Sequence, residues 1–360
     1  MVRQEREREY AGMDPMTGAP DLPAVSVVMA VHNGMPYVES AVRSMMDQTL
    51  REIEIIVVDD ASTDETPQVL ARLADEDPRI RILTNTINLK LAASLNRGLE
   101  AARAPLIARM DADDLSMPNR LEVQKAYLDA HPAVIMVATS NRQIDSKGRV
   151  LSGQRRAFNP VELRWRLRFG MPLVHPSVMF RKQDVDGVIM KYDPNFAVAQ
   201  DFDLVVRAAE KGDVTSLPDV LVDWRLHSAS ITATKRARQN EAAEVCTSRV
   251  QMRDLSEAQQ RELVPFMDIV FGRQKVTVRN AAQSIRVIAR LVAADIRAHP
   301  RHARSFRKQA VIVLNFIVGD RGIGTMPFSA LLVLISPRLF LSAVSVWRDR
   351  RNWRKRYGSI

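Results

Sequence analysis

Two aspartates one residue apart, backed by a third, make ARMDADD (108–114) the segment best suited to chemistry. Carboxylates so spaced at the end of a strand offer hard oxygen donors, which suit Mg2+ or Mn2+ shared with phosphate oxygens. Without a cation, such close carboxylates raise one another's pKa. Spacing alone leaves a plainer reading open, an acidic loop before a helix that Pro118 begins, with Asp114 as its cap. A second acidic pair lies in VVDDASTDET (57–66). Its Asp, Ser and Thr side chains can accept hydrogen bonds from a base or ribose, and the helix start behind them favours anions. Turn and capping chemistry would explain Ser62 and Thr63 equally well, so Asp60 is the better ligand candidate.

Asp201 and Asp203 open the helical segment DFDLVVRAAEK, where the macrodipole favours carboxylates whatever their function. Arg109 leads into the acidic cluster and either orients its carboxylates or forms a structural ion pair.

These residues need a frame. VSVVMAV (25–31) and IEIIVVDD (53–60) are too apolar for one-sided strands and read as parallel strands buried on both faces. Between them, Pro36 to Gln48 has helical spacing, with Val38, Ala41, Val42, Met45 and Met46 on one face. A helix capped by STDET follows from about Thr63, then a strand near Arg81–Leu83, a helix over Ala92–Ala102 and the apolar run 105–110. Strand–helix alternation predicts a Rossmann-like α/β fold with a mixed, mostly parallel sheet flanked by helices. Ligands in such sheets bind beyond the carboxyl ends of the strands, where Asp59, Asp60, Asp111 and Asp113 fall. Residues 133–230 are mixed, with a strand at VIMVATS, a turn at 146–148, a strand near 177–181 and a helix over 201–211.

The chain has 360 residues, 46% of them hydrophobic and 26% charged, which suits one large α/β domain with an appendage. Its single cysteine, Cys246, excludes an internal disulfide and a multi-thiolate zinc site, and suits a reducing compartment such as the cytoplasm. The net charge of +10 is unevenly placed: residues 1–230 carry −5 and residues 231–360 carry +15. Residues 1–22 lack the apolar core of a secretory signal and read as a frayed tail. The domain expectation is 23–234 for the α/β unit, with a nucleotide-binding half 23–115 and an acceptor half 116–234. Residues 235–360 form a basic helical C-terminal region.

Within that region 310–318 is too short to span a bilayer, and 326–347 contains Pro327, Pro337 and Arg338. A mid-span Arg costs about 2.5–3.5 kcal/mol. An interfacial hairpin edged by Trp347 and Trp353 fits better, with the terminal RDRRNWRKRYG on anionic lipid. Packing on the α/β domain or dimerisation is the plainer alternative. Nucleic acid is not expected as a partner, and the location expected is peripheral, on the cytoplasmic face of a membrane.

The phrases VSVVMAVHNG, EIIVVDDASTDET and NLKLAASLNRGLEAARAPLIARMDADD, followed by HPSVMFRK, YDPNFAVAQDFDLVVRAAEKG and WRLHSASIT, resemble the family 2 glycosyltransferases of GT-A fold over residues 24–232. The resemblance implies inverting transfer of a sugar from a nucleoside diphosphate donor, commonly UDP-linked, to a glycan or lipid-linked acceptor, with Mg2+ or Mn2+ as cofactor. It implies that Val31 and Asn33 frame the nucleobase and that Asp60 contacts it. Asp111 would face ribose or metal, Asp113 would bind metal, and His227 would lie near the donor phosphates or complete the metal shell. Asp201 would be the catalytic base and His175 would shape the acceptor loop. Gln200 stands where Glu is usual, and Lys90 where a small residue, often Gly, is usual; Lys90 either touches the diphosphate or is merely solvated.

Two other functions remain as alternatives. A sugar nucleotidyltransferase would carry a Gly-rich basic phosphate loop, and AVHNGMPY has one Gly and no Lys or Arg. A non-catalytic nucleotide-sugar-binding or scaffold protein would keep the donor site without transfer. A phosphoacceptor receiver domain is too short to account for the later motifs.

Overall fold

A computed structural model describes residues 22–154, 157–227, 236–275 and 277–318. Strands β1 (Val25–Val31) and β2 (Ile53–Asp59) are buried at every position and pair in parallel, Val25 opposite Ile53 through Val31 opposite Asp59. Alternate side chains of a strand point to opposite faces. Val28, Ile56 and Val58 therefore join Leu95, Leu99 and Phe202 on one side of the sheet, and Val27, Met29, Ile55 and Val57 join Val42, Met45 and Leu70 on the other. Burying each such side chain contributes roughly 1.5–3 kcal/mol.

The crossovers are α1 (Val38–Met46), α2 (Thr66–Glu76) and α3 (Leu91–Ala101), leading to β2, β3 (Ile80–Thr84) and β4 (Leu106–Arg109). These four strands run parallel in the order β3-β2-β1-β4. The chain thus leaves β1 on one side and returns on the other. Such a reversal opens a crevice at the carboxyl ends of the two central strands.

Beyond β4 the sheet becomes mixed. β5 (Leu115–Ser116), α4 (Arg120–Ala130), β6 (Val134–Ile144), β7 (Val150–Gln154), α5 (Pro160–Leu167), β8 (Met179–Arg181), α6 (Gln200–Lys211) and β9 (Asp213–Arg225) follow. The order continues β8-β6-β9-β5, and β7 pairs antiparallel with the later part of β6. β8 is antiparallel to β4 and β6, and β9 is parallel to β6.

Two local expectations are corrected. Helix α2 starts at Thr66, and STDET forms a tie instead of a cap: Asp64 accepts from the Thr66 and Met35 amides at 3.0 and 3.2 Å. Helix α4 starts at Arg120, and Asp114 does not cap it but accepts from the Arg225 amide at 2.7 Å. The thirteen-residue β9 and helix α5 carry no expectation from sequence. Pro218 argues against a strand, and the register shift between Thr139–Leu217 and Ser140–Val220 is how β9 accommodates it.

Four helices follow, α7 (Arg236–Asp254), α8 (Glu257–Val270), α9 (Val278–Ala298) and α10 (Ala303–Val318). α8 to α10 share a core with Trp165 of α5 and Phe169, including Phe266, Ile285, Ile288 and Phe306. The Trp165 Nε1 donates to Asp295 at 2.8 Å, and Arg168 pairs with the same carboxylate at 2.9 Å. Within 310–318, Ala310, Val311, Val313 and Leu314 are buried in this core, so that face is spent on packing against protein and not on a headgroup layer. No helix among the described residues is long and apolar enough to cross a membrane. Residues 1–21, the stretch 326–347, Trp347, Trp353 and the terminal basic cluster lie outside the described residues.

Candidate active site

The loops after β1 and β2 are laced together beyond the strand ends. Asn33 donates its amide to Ser62 Oγ at 2.9 Å and accepts from the Thr63 amide at 2.8 Å. Ser62 and Thr63 thus serve turn chemistry. His32 Nδ1 lies 2.9 Å from the Asp60 carbonyl oxygen, and the carbonyl of Val31 accepts from the Asp60 amide at 2.7 Å. Gly34 is needed for closeness, because a Cβ there would lie 2.5 Å from Val31 Cγ2 and 2.9 Å from Val38 Cβ.

Asp60 is buried and holds the next loop. Its Oδ1 accepts from Asn85 Nδ2 and the Leu89 amide, both at 2.7 Å, and its Oδ2 from the Lys90 amide at 2.9 Å. Burial alone would raise its pKa, but these donors outweigh it and hold the carboxyl below its ordinary value. Lys90 has φ 73° and ψ 168°, a region that glycine enters freely and other residues rarely. That explains the small residue usual there. Its side chain is exposed, and only its backbone is anchored. Asn33, Ala61 and Ala199 are the other non-glycine residues at positive φ among the described residues, and all four lie on loops leaving strands or starting helices around the crevice.

The acidic turn joins the end of β9. His227 Nε2 lies 2.9 Å from Asp113 Oδ2, and its ring tilts over Tyr37 at 5.1 Å. Arg225 donates to the Asp113 carbonyl at 2.7 Å and stacks its guanidinium 4.6 Å from the Tyr37 ring centre. Tyr37 and Arg225 carry no signal in the sequence, because nothing in it shows that β9 ends beside the loop after β1. The side chains of Asp111 and Asp113 are 28% and 34% exposed, against 1% for Asp114, so the first two are the reachable carboxylates.

Behind the turn, the buried Arg109 donates through Nη2 to Asp111, while its Nε and Nη1 have no hydrogen-bond partner among the described residues. Of the two roles that the sequence leaves open, the contact seen is the ion pair, and it is made with a carboxylate of the cluster. Burial, then repulsion from Asp113, raises the Asp111 pKa despite Arg109. Tyr192 joins this group. Its hydroxyl lies 2.8 Å from His175 Nε2, and its backbone is pinned by Asn96 of α3 through two bonds of 2.8 Å. Burial, with Arg109 nearby, pushes the His175 pKa well down, so the ring is neutral. No spacing rule singles out Tyr192.

Asp201 sits on the first turn of α6, after Ala199 in a left-handed conformation. Burial first, then the charge of Asp111, raises its pKa, while the Phe202 amide and Arg109 pull it down. The structure therefore brings Arg109, Asp111, His175, Tyr192 and Asp201 into one electrostatic neighbourhood. Asp203 is different: Arg207 holds it at 2.7 Å, so it is a structural ion pair. Gln200 is buried as the first residue of α6.

Among the described residues no three His, Cys, Asp or Glu side chains form a ready cage for a metal ion. His227 meets Asp113 at the turn, the reachable Asp111 stands two residues before it, and the buried Asp114 Oδ2 lacks a hydrogen-bond partner among the described residues. This donor set fits a hard divalent cation that takes its remaining ligands from phosphate and water.

An acidic turn at the switch point of an α/β sheet, with a helix-start carboxylate alongside, suits a ligand that carries phosphate. The family model described as Glycosyl transferase family 2 matches residues 26–188. The O-antigen biosynthesis glycosyltransferase WbnJ of Escherichia coli is 31% identical over 216 residues, 58% of this chain and 82% of that one. The amylovoran biosynthesis glycosyltransferase AmsE of Erwinia amylovora is 32% identical over 192 residues, 53% of this chain and 71% of that one. In fold, the chain resembles S. aureus TarS 1–349, solved in complex with UDP-GlcNAc, with a TM-score of 0.56 at 16% identity, covering 81% of this chain and 86% of that one. The chain belongs to glycosyl transferase family 2 and is a transferase enzyme.

Proposed function

We propose that the chain transfers a sugar from a UDP-linked donor to an acceptor hydroxyl with inversion, in the synthesis of a cell-surface polysaccharide or glycolipid. One observation carries the reading: Asp201 stands on the first turn of α6 with no ion pair among the described residues, where burial and the charge of Asp111 favour its protonated form, whereas Asp203 is consumed by an ion pair.

Asp201 accepts the proton of the acceptor hydroxyl as that oxygen attacks, a contribution typically of about 10²–10⁴ in rate. Val31, Asn33 and Asp60 shape the nucleotide pocket, Asp60 by fixing the 85–90 loop. Asp111, Asp113 and His227 hold Mg2+ or Mn2+, which when bound stabilises charge on the departing diphosphate as a Lewis acid. Arg109 orients Asp111, and neutral His175 with Tyr192 borders the acceptor side. Gln200 leaves Asp201 without the second carboxylate usual in the family. Lys90 acts through its backbone. UDP is favoured because the fold neighbour TarS was solved with UDP-GlcNAc, and polysaccharide synthesis because WbnJ and AmsE are named for it. Residues 23–234 carry the transfer, with donor half 23–115 and acceptor half 116–234. Residues 235–360 bring the enzyme to an anionic membrane on its cytoplasmic face, where a lipid-linked acceptor lies.

A screen of UDP-, GDP- and dTDP-sugars for Mn2+-dependent binding and hydrolysis tests this. A UDP-sugar bound and hydrolysed only with metal is expected; no binding of any nucleotide sugar with either metal overturns the proposal.

A further inference from the structure

Helix α9 carries Arg279, Arg286, Arg290 and Arg297, all exposed. Their intervals of seven, four and seven residues return each to within about 20° of one line at 3.6 residues per turn, and span roughly 27 Å at 1.5 Å per residue. The opposite face buries Ala281, Ile285, Ile288 and Val292 in the core shared with Trp165. The one acid of the helix, Asp295, turns inward to Trp165 and Arg168. Arg290 reaches Glu262 at 3.2 Å, and Arg279, Arg286 and Arg297 have no acidic partner among the described residues. Exposed Arg301 and Arg304 continue the charge past the end of the helix.

We propose that this arginine row is the face by which the protein lies on an anionic lipid bilayer. A helix lying flat presents one line of side chains to a plane, and the row is such a line. The other described exposed residues of the helix, Gln283, Ala293 and Ala298, include no aromatic platform of the sort used to stack single-stranded nucleic acid, and no large apolar wedge for insertion. The contact is therefore electrostatic adsorption, at about 1 kcal/mol per basic residue. The sequence after α10 continues in the same sense, with an apolar stretch and then RDRRNWRKRYG. This deepens the membrane part of the proposed function and is independent of the donor reading.

The test is sedimentation of the full chain with vesicles of phosphatidylcholine alone or mixed with phosphatidylglycerol, at low and high salt. Binding to the mixed vesicles is expected, weakened by salt. A combined Arg279→Gln, Arg286→Gln and Arg297→Gln variant should bind on the order of 100-fold more weakly. The matching Lys variant, which keeps the charge, should stay within a few-fold, and unchanged melting of both would confirm their fold. The inference is overturned if the Gln variant binds mixed vesicles as well as the parent does, or if the parent prefers an oligonucleotide to vesicles. UDP binding, titrated without vesicles, reports the donor reading separately.

Discussion

Asp201 and Asp203 stand one residue apart on the first turn of α6, yet Arg207 grips Asp203 at 2.7 Å while Asp201 has no ion pair among the described residues. The two carboxylates therefore separate by environment into one held in an ion pair and one without, a division that the sequence segment QDFD does not contain.

Asp201 should make stability depend on pH. Burial and then Asp111 raise its folded pKa above the unfolded value, so its stability contribution is full below about pH 4 and is lost as pH rises through the folded pKa. Asp201→Asn removes that loss. Thermal melting should show the variant more stable than the parent at pH 7, with the gap closing toward acid pH. A gap that widens as pH falls would assign Asp201 the opposite sign.

His227 meets the Asp113 carboxylate at 2.9 Å. His227→Ala should weaken Mn2+-dependent UDP binding on the order of 10–100-fold, whether the ring binds metal or only orients the carboxylate. Calorimetric titration with and without Mn2+ measures this, and the metal-free affinity should stay near the parent's.

Lys90 holds a backbone conformation that costs roughly 1–3 kcal/mol in a side-chain-bearing residue. Lys90→Gly should stabilise the protein by about 1 kcal/mol in urea unfolding, after allowing for the roughly 0.5–1 kcal/mol that glycine's flexibility costs. Because the ammonium is solvated, KM for the donor should not change. A rise in KM would mean that it touches the diphosphate.

Glu54 lies at the opposite end of the strands from the crevice, where it accepts from Ser26 at 2.6 Å, Arg81 at 2.6 Å and the Arg103 amide at 2.7 Å. Burial would raise its pKa, but these donors lower it, so its contribution is present above the ordinary carboxylate range and lost as pH falls through the folded value. Glu54→Gln should cost roughly 1–3 kcal/mol of stability while leaving kcat unchanged.

The first four strands were legible because β1 and β2 are unbroken apolar runs and the carboxylates follow at strand ends, so pattern and chemistry coincide. Asp113 and His227, far apart along the chain, do meet, and the resemblance alone supplied His227. Arg225, Tyr37 and Tyr192 were not legible. Arg225 ends a strand disguised by Pro218, and the roles of the two tyrosines depend on loops whose course no periodicity encodes. The C-terminal apolar stretch 310–318 looked available to lipid because sequence cannot show that α5 offers it Trp165.

The most direct test of the account is Asp201→Asn, assayed side by side for sugar transfer and for binding of the UDP-linked donor. The account predicts transfer reduced by about 10²–10⁴ with donor affinity within a few-fold of the parent. Transfer at the parent's rate, or loss of donor binding in parallel with activity, would contradict it.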